Sequence, residues 1–197
     1  NGGSMIWKLM ANIVAMQSVS RWLIRRAQRT PYQHITSADG GSVYMGRWWL
    51  FNPYPSPYGG QPQDHYRAWL PSIRVHHICR ADQDRDLHDH PWNARTFILR
   101  GWYTEEREWS ALTDGEALSA DGVGLTDPSR AVFHRVPGYT GRLLFGQYHR
   151  ISKVSEGGVW TVFITWKKRG TWGFLVDGKK VPWRVYLGLD NQKGAGS

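Results

Sequence analysis

Apolar residues in the first stretch recur at helical spacing. Ile6, Leu9, Met10, Ile13, Met16 and Val19, continued by Trp22 and Leu23, fall mostly three or four positions apart within 5–29, a segment without Pro or Gly. Arg25, Arg26 and Arg29 crowd its C-terminal turns, where cations suit the helix dipole, and Pro31 stops it. The spacing predicts one amphipathic α-helix that packs on its own domain or on a second subunit of a homodimer, with a membrane-surface helix as the alternative. Beyond it the pattern changes to short runs of strand formers at 42–51, 72–79, 94–99, 102–109, 131–136, 142–151 and 159–166. Turn signals such as Asp114-Gly115, Asp121-Gly122, Pro137-Gly138 and Gly157-Gly158 separate most of them. Many short strands without intervening helices predict an all-β, antiparallel sandwich or barrel with an N-terminal α-helix.

The remaining segments complete a three-part organisation. Residues 1–35 form a tag remnant (1–4, before Met5) and the helix; 36–189 form the β-domain; 190–197 form a flexible tail. A Pro/Gly/Tyr-rich loop with Pro53, Pro55, Pro57, Gly59, Gly60 and Pro62 is too rich in proline for a helix or a central strand. A final hairpin or cover strand is expected at 172–183.

Composition narrows the function classes. Twelve Trp, nine Tyr and six Phe in 197 residues exclude a chain that stays solvated and disordered. The lone Cys79 excludes an internal disulfide framework and a cysteine-based zinc site; it reads as a small buried hydrophobe in a reducing compartment. No apolar run reaches the ~18 residues of a membrane span. A secretory signal would carry its positive charge ahead of the apolar stretch, whereas here most follows it, so the expected location is cytoplasmic. The formal charge of +9 keeps a nucleic-acid partner open, but basic ends flank an acidic middle over 81–136. That middle suits a cation better than a phosphate.

Its most informative stretch is Leu87-His88-Asp89-His90-Pro91-Trp92. Residues i and i+2 of a strand face one side, so His88 and His90 project together, and a divalent metal ion can use two neutral imidazoles as ligands. H-x-H alone also fits two ordinary polar residues at a strand end. His134, polar within the apolar run 131–136, is either a satisfied core residue or a third ligand from a facing strand. His76 and His77 are adjacent and must face opposite sides. Asp82, Asp84, Asp86 and Asp89 lack the glycine and terminal glutamate of a calcium loop and read as a solvated acidic loop.

These motifs resemble the cupin superfamily, small β-barrels or jelly rolls with a first motif of H-x-H before a strand and a glycine turn. His88-Asp89-His90, the run 94–100 and Gly101 match that motif; about 124–134, ending at His134, is similar to the second. The likeness covers roughly 72–166 and is narrower to uncharacterised cupin-like proteins with an L-H-D-H-P-W signature. It implies a divalent transition metal held by His88, His90 and His134, with Fe(II) favoured and Zn, Mn or Ni as alternatives. Ala94 and Arg95 stand where cupins usually place a Glu, so the implied set is three histidines, similar to that of thiol dioxygenases. Glu105 is a candidate fourth ligand from the next strand, or a solvated strand-end charge.

The expected function is therefore a metal-binding protein, with dioxygenase chemistry on a small polar molecule as the enzymatic reading. The alternatives are a non-catalytic ligand-binding or sensing barrel and a sugar epimerase or isomerase. An arginine in the barrel mouth would hold a substrate carboxylate bidentately, with Arg135, Arg142 and Arg150 as candidates and Arg142 chosen. Trp92 and Tyr148 are the expected pocket walls.

Overall fold

The computed structural model describes residues 2–36, 41–54, 66–124 and 127–190. Most of the proline-rich loop and residues 191–197 of the expected tail lie outside them. The chain opens with α1 (Gly2–Ala15) and α2 (Gln17–Ala27), then β1 (Ile35–Thr36), β2 (Val43–Phe51), β3 (Ser72–Ile78), β4 (Leu87–His88), β5 (Trp92–Arg100) and β6 (Tyr103–Glu108). A short α3 (Asp114–Ala117) precedes β7 (Gly122–Val123), β8 (Arg130–Arg135), β9 (Thr140–Leu143), β10 (Arg150–Val154) and β11 (Val159–Lys168). The hairpin β12 (Gly173–Val176) and β13 (Lys179–Pro182) leads into α4 (Trp183–Tyr186).

Among the described residues, all strand pairings are antiparallel. Six strands form one sheet in the order β1-β2-β3-β11-β5-β9, four form a second as β10-β6-β8-β7, and β13-β12-β4 form a third. Period-two alternation divides the large sheet into two faces. Val75, Phe97, Leu99, Val162 and Ile164 point to the helices and bury against Ala11, Ile24 and Ala27. Their sequence neighbours point inward: Ile78, Ile98 and Val159 meet Tyr103 and Ile151 of the four-stranded sheet. The two sheets thus face each other around an interior, in a cupin-like, all-β arrangement with helices on its outer face.

Two expected elements are divided. The single helix is broken at Met16, whose ψ of 136° is extended. The break lets α1 lie along β5 and β9 while α2 lies along β2 and β3. The run 142–151 is β9 and β10, separated by a turn in which Gln147 donates its backbone N–H to the carbonyl of Leu144 at 2.9 Å. Gly146 takes φ +83° there, and the chain passes from one sheet to the other. Cys79 is exposed rather than buried, because it follows the last inward residue of β3, Ile78.

Candidate metal centre

Alternation along 87–90 separates two roles. Asp89, fully buried, accepts from the Gly173 backbone N–H at 2.8 Å and pairs with Lys180 Nζ at 2.5 Å, which ties the segment to β12 and β13. His88 and His90 face away from Asp89, into the interior. The third imidazole is His149, placed opposite His88 by an antiparallel bridge in which the two residues exchange backbone hydrogen bonds, both at 2.9 Å. Ring centroids of the three lie 5.0–5.4 Å apart, and one nitrogen from each lies within 4.8 Å of the others. Nε2 of His90 is 2.9 Å from Nε2 of His149.

Carboxylates stand behind these rings. Glu105, buried on β6, sets Oε1 3.1 Å from His149 Nδ1, off the line of the ring N–H, and also pairs with Arg107 and Arg135 at 2.9 and 3.0 Å. Burial pushes the Glu105 carboxyl up, but Arg107, His149 and Arg135 outweigh it and hold it well below the usual carboxylate range. A proton on Nδ1 facing this anion leaves His149 Nε2 as the free lone pair. Asp82 Oδ2 lies 3.9 Å from His88 Nδ1 and accepts the Ile151 backbone N–H at 2.7 Å. Tyr44 donates its hydroxyl to the other Asp82 oxygen, so part of the acidic loop is structural.

Burial decides the charge of His88 and His90. Desolvation lowers His88 to about 4, with His149 adding to the fall and Asp82 opposing it. His90 is pushed well below its ordinary value by burial, then by His149 and His88. At neutral pH both offer uncharged nitrogens, the form a metal ion binds.

His134 does not join this group. On β8, Ala131 and Phe133 are buried inward, so the intervening His134 is turned outward, opposite Thr104 and against Trp102, with ring centroids 4.8 Å apart. Arg142 is likewise exposed on β9, where Leu143 takes the inward position. Tyr148 is half-buried, and the carboxylates acting on it are Asp89 and Glu108. Trp92 does lie beside the group, 6.4 Å from His90 by ring centroids, with its indole Nε1 buried and without a partner. Glu105 stands behind His149 and is not among the converging donors. Of the adjacent pair, His76 is the inward residue, stacked on Phe163 at 5.0 Å, while His77 stacks on Trp160 on the other face.

A signal for His149 was present in the sequence. Ile151 is an apolar residue in the same run, and period two puts His149 on its side. What hid it was the turn at 144–147, which divides the run and carries the chain from one sheet to the other ahead of His149.

No protein-family model matches the chain, and no curated protein does. Among solved structures, it is similar to oxalate decarboxylase from Bacillus subtilis at pH 4.6, with 10% identity over 88% of this chain and 35% of that one, TM-score 0.46. A mutant of that enzyme matches at 10% identity over 88% and 36%, TM-score 0.45, and a structure of DMSP lyases at 12% over 64% and 48%, TM-score 0.37. The chain spans about a third of the length of the decarboxylase chains. At these identities, and with TM-scores below 0.5, the matches carry no argument about this chain. The similarity to the cupin superfamily rests on the chain's own antiparallel sheets and on the imidazoles that its H-x-H stretch brings together.

Proposed function

We propose that His88, His90 and His149 hold one divalent transition metal ion, and that the chain is a non-haem Fe(II) dioxygenase acting on a small polar molecule. The observation that carries the metal reading is the convergence of three imidazole nitrogens within 4.8 Å from two separate stretches of chain. The donor set fits: three imidazole nitrogens suit Fe, Ni or Zn better than the oxygen-seeking Mg or Ca. The spacing supports it too. Two metal–nitrogen bonds of about 2.0–2.1 Å span about 2.9 Å at a right angle and about 3.4 Å at a tetrahedral one. The His90–His149 separation of 2.9 Å, also a hydrogen-bond distance between the two rings, is short enough for both nitrogens to reach one ion.

Bound there, Fe(II) would supply a centre for activating dioxygen beside a substrate. The chain's own part is to keep His88 and His90 neutral by burial, to hold the tautomer of His149 through Glu105, and to wall the site with Trp92 and Phe163. Protein purified without chelator is expected to carry about one transition-metal ion per chain by elemental analysis. His88→Ala and His149→Ala each lose it, whereas His134→Ala keeps it; unchanged metal in the first two variants sinks the reading. Oxygen uptake by the Fe(II)-loaded protein with keto acids, thiols and hydroxylated aromatics tests the dioxygenase step.

A further inference from the structure

Arg74 is the most deeply buried arginine described, 2% exposed on the inward face of β3. Two other buried arginines have carboxylates: Arg107 pairs with Glu105 and Glu116, and Arg130 with Glu106 and Asp127. Among the described residues, Arg74 has none within ion-pair distance. Its Nη1 donates to the Tyr54 hydroxyl at 2.8 Å, while Nε and Nη2 are buried without acceptors. Its guanidinium carbon lies 5.3–5.6 Å from the ring centres of Trp49, Tyr54, Trp92 and Phe163. Those rings hold the cation by their π-faces but accept nothing from its in-plane N–H groups. An uncompensated buried cation is costly, so an anion that completes it is the economical explanation.

The surroundings define that anion. Phe163 and Trp92 are shared walls: His90 lies 5.8 and 6.4 Å from them by ring centroids, so the guanidinium and the imidazole group open on one space. His76, stacked on Phe163, and Trp92 each leave a buried ring nitrogen unpartnered beside it. A cleft of about 240 Å³ reaches Tyr54 and Trp92 from outside, with Thr165, Lys167 and Lys168 also in its wall. A planar fork between aromatic walls favours a planar, partly apolar anion over a phosphate, which is tetrahedral and more strongly hydrated.

We propose that Arg74 receives the carboxylate of a small organic acid, whose other end is presented to His88, His90 and His149. The assignment of that second end rests on the metal reading; the carboxylate site itself does not. Trp49 and Trp92 flank the guanidinium, so intrinsic fluorescence reports its occupancy. Metal-free wild-type protein titrated with sodium acetate at constant ionic strength is expected to give a saturable change that acetamide does not produce. Arg74→Met should lose it, and Arg74→Lys, which keeps the charge but not the fork, should weaken it at least tenfold, a size in keeping with a charge-assisted pair. Both variants should hold as much metal as the wild type and melt no lower. An acetate response that survives in Arg74→Met, saturation by inorganic phosphate but not by acetate, or an Arg74→Met protein that melts well below wild type would overturn the proposal. Metal binding without an acetate response defeats this proposal alone, and an acetate response in a protein that binds no metal defeats only the metal reading.

Discussion

At His88, burial works against the imidazolium more strongly than the Asp82 carboxylate works for it, and the pKa falls from 6.5 to about 4. The folded chain therefore holds its proton less tightly than the unfolded chain, and between those two values the unfolded state binds more protons. Stability rises with pH across that window and is lost as pH falls from about 6.5 towards 4. His88 alone accounts for a loss of order 3 kcal/mol. His76 and His90, also lowered by burial, act with the same sign. Urea unfolding of chelator-treated protein between pH 7 and pH 4 should show this fall, and His88→Gln should flatten it in part; equal slopes in the two proteins would remove burial of His88 as the cause. At this scale the sequence was legible for His88 and His90, because alternation needs only two positions in one local run. For the third ring the same alternation has to be counted from the inward apolar neighbours. His134 and His149 both neighbour inward apolar residues, but His134 is one position from Phe133 and His149 is two from Ile151. That difference of one residue reverses the face.

Between elements, tight turns decide where each strand delivers its side chains. Gly101, the expected glycine turn after β5, takes φ +71°. A Cβ there would sit on the carbonyl oxygen of Gly158 and 2.6 Å from Ser155 Oγ. Ser155 Oγ already bridges this turn to the next, accepting the Trp102 backbone N–H at 3.0 Å and donating to the Gly158 carbonyl at 2.8 Å. Gly101→Ala is thus strained in conformation and in space, and should destabilise the protein by roughly 1–3 kcal/mol. Chemical denaturation reads that loss; a variant as stable as wild type would mean that the turn relaxes freely. Glycines with this requirement announce turns in a sequence, which is why most strand runs were legible. The break at Met16 has no such marker. It follows from the sheet beneath, since α1 and α2 rest on different pairs of strands, and no local pattern encodes that demand.

Across the whole molecule, the six-stranded sheet assigns different tasks to its two faces. The outer face, closed by α1 and α2, is apolar: Phe97, Leu99, Val75 and Val162 pack with Ala11 and Ala27, and Trp7 meets Phe97 at 6.0 Å. The inner face carries Arg74, His76 and Phe163 next to the imidazole group, so much of its buried surface is polar. Buried polar and charged groups contribute less net stability than the same area of hydrocarbon. The outer face must therefore carry a large share of the folding free energy while the inner face carries the chemistry. Truncating Phe97, 2% exposed, removes an aromatic ring from the outer core without touching the histidines. Phe97→Ala should destabilise by about 3–5 kcal/mol yet leave the metal content per folded chain unchanged. Phe163→Ala, one strand away but facing inward, should lower both, because the ring packs against His76 and His90 as well as Arg74. Urea unfolding and elemental analysis of the two variants, side by side, test that separation; loss of metal from Phe97→Ala under conditions where it remains folded would show that the two faces do not work independently.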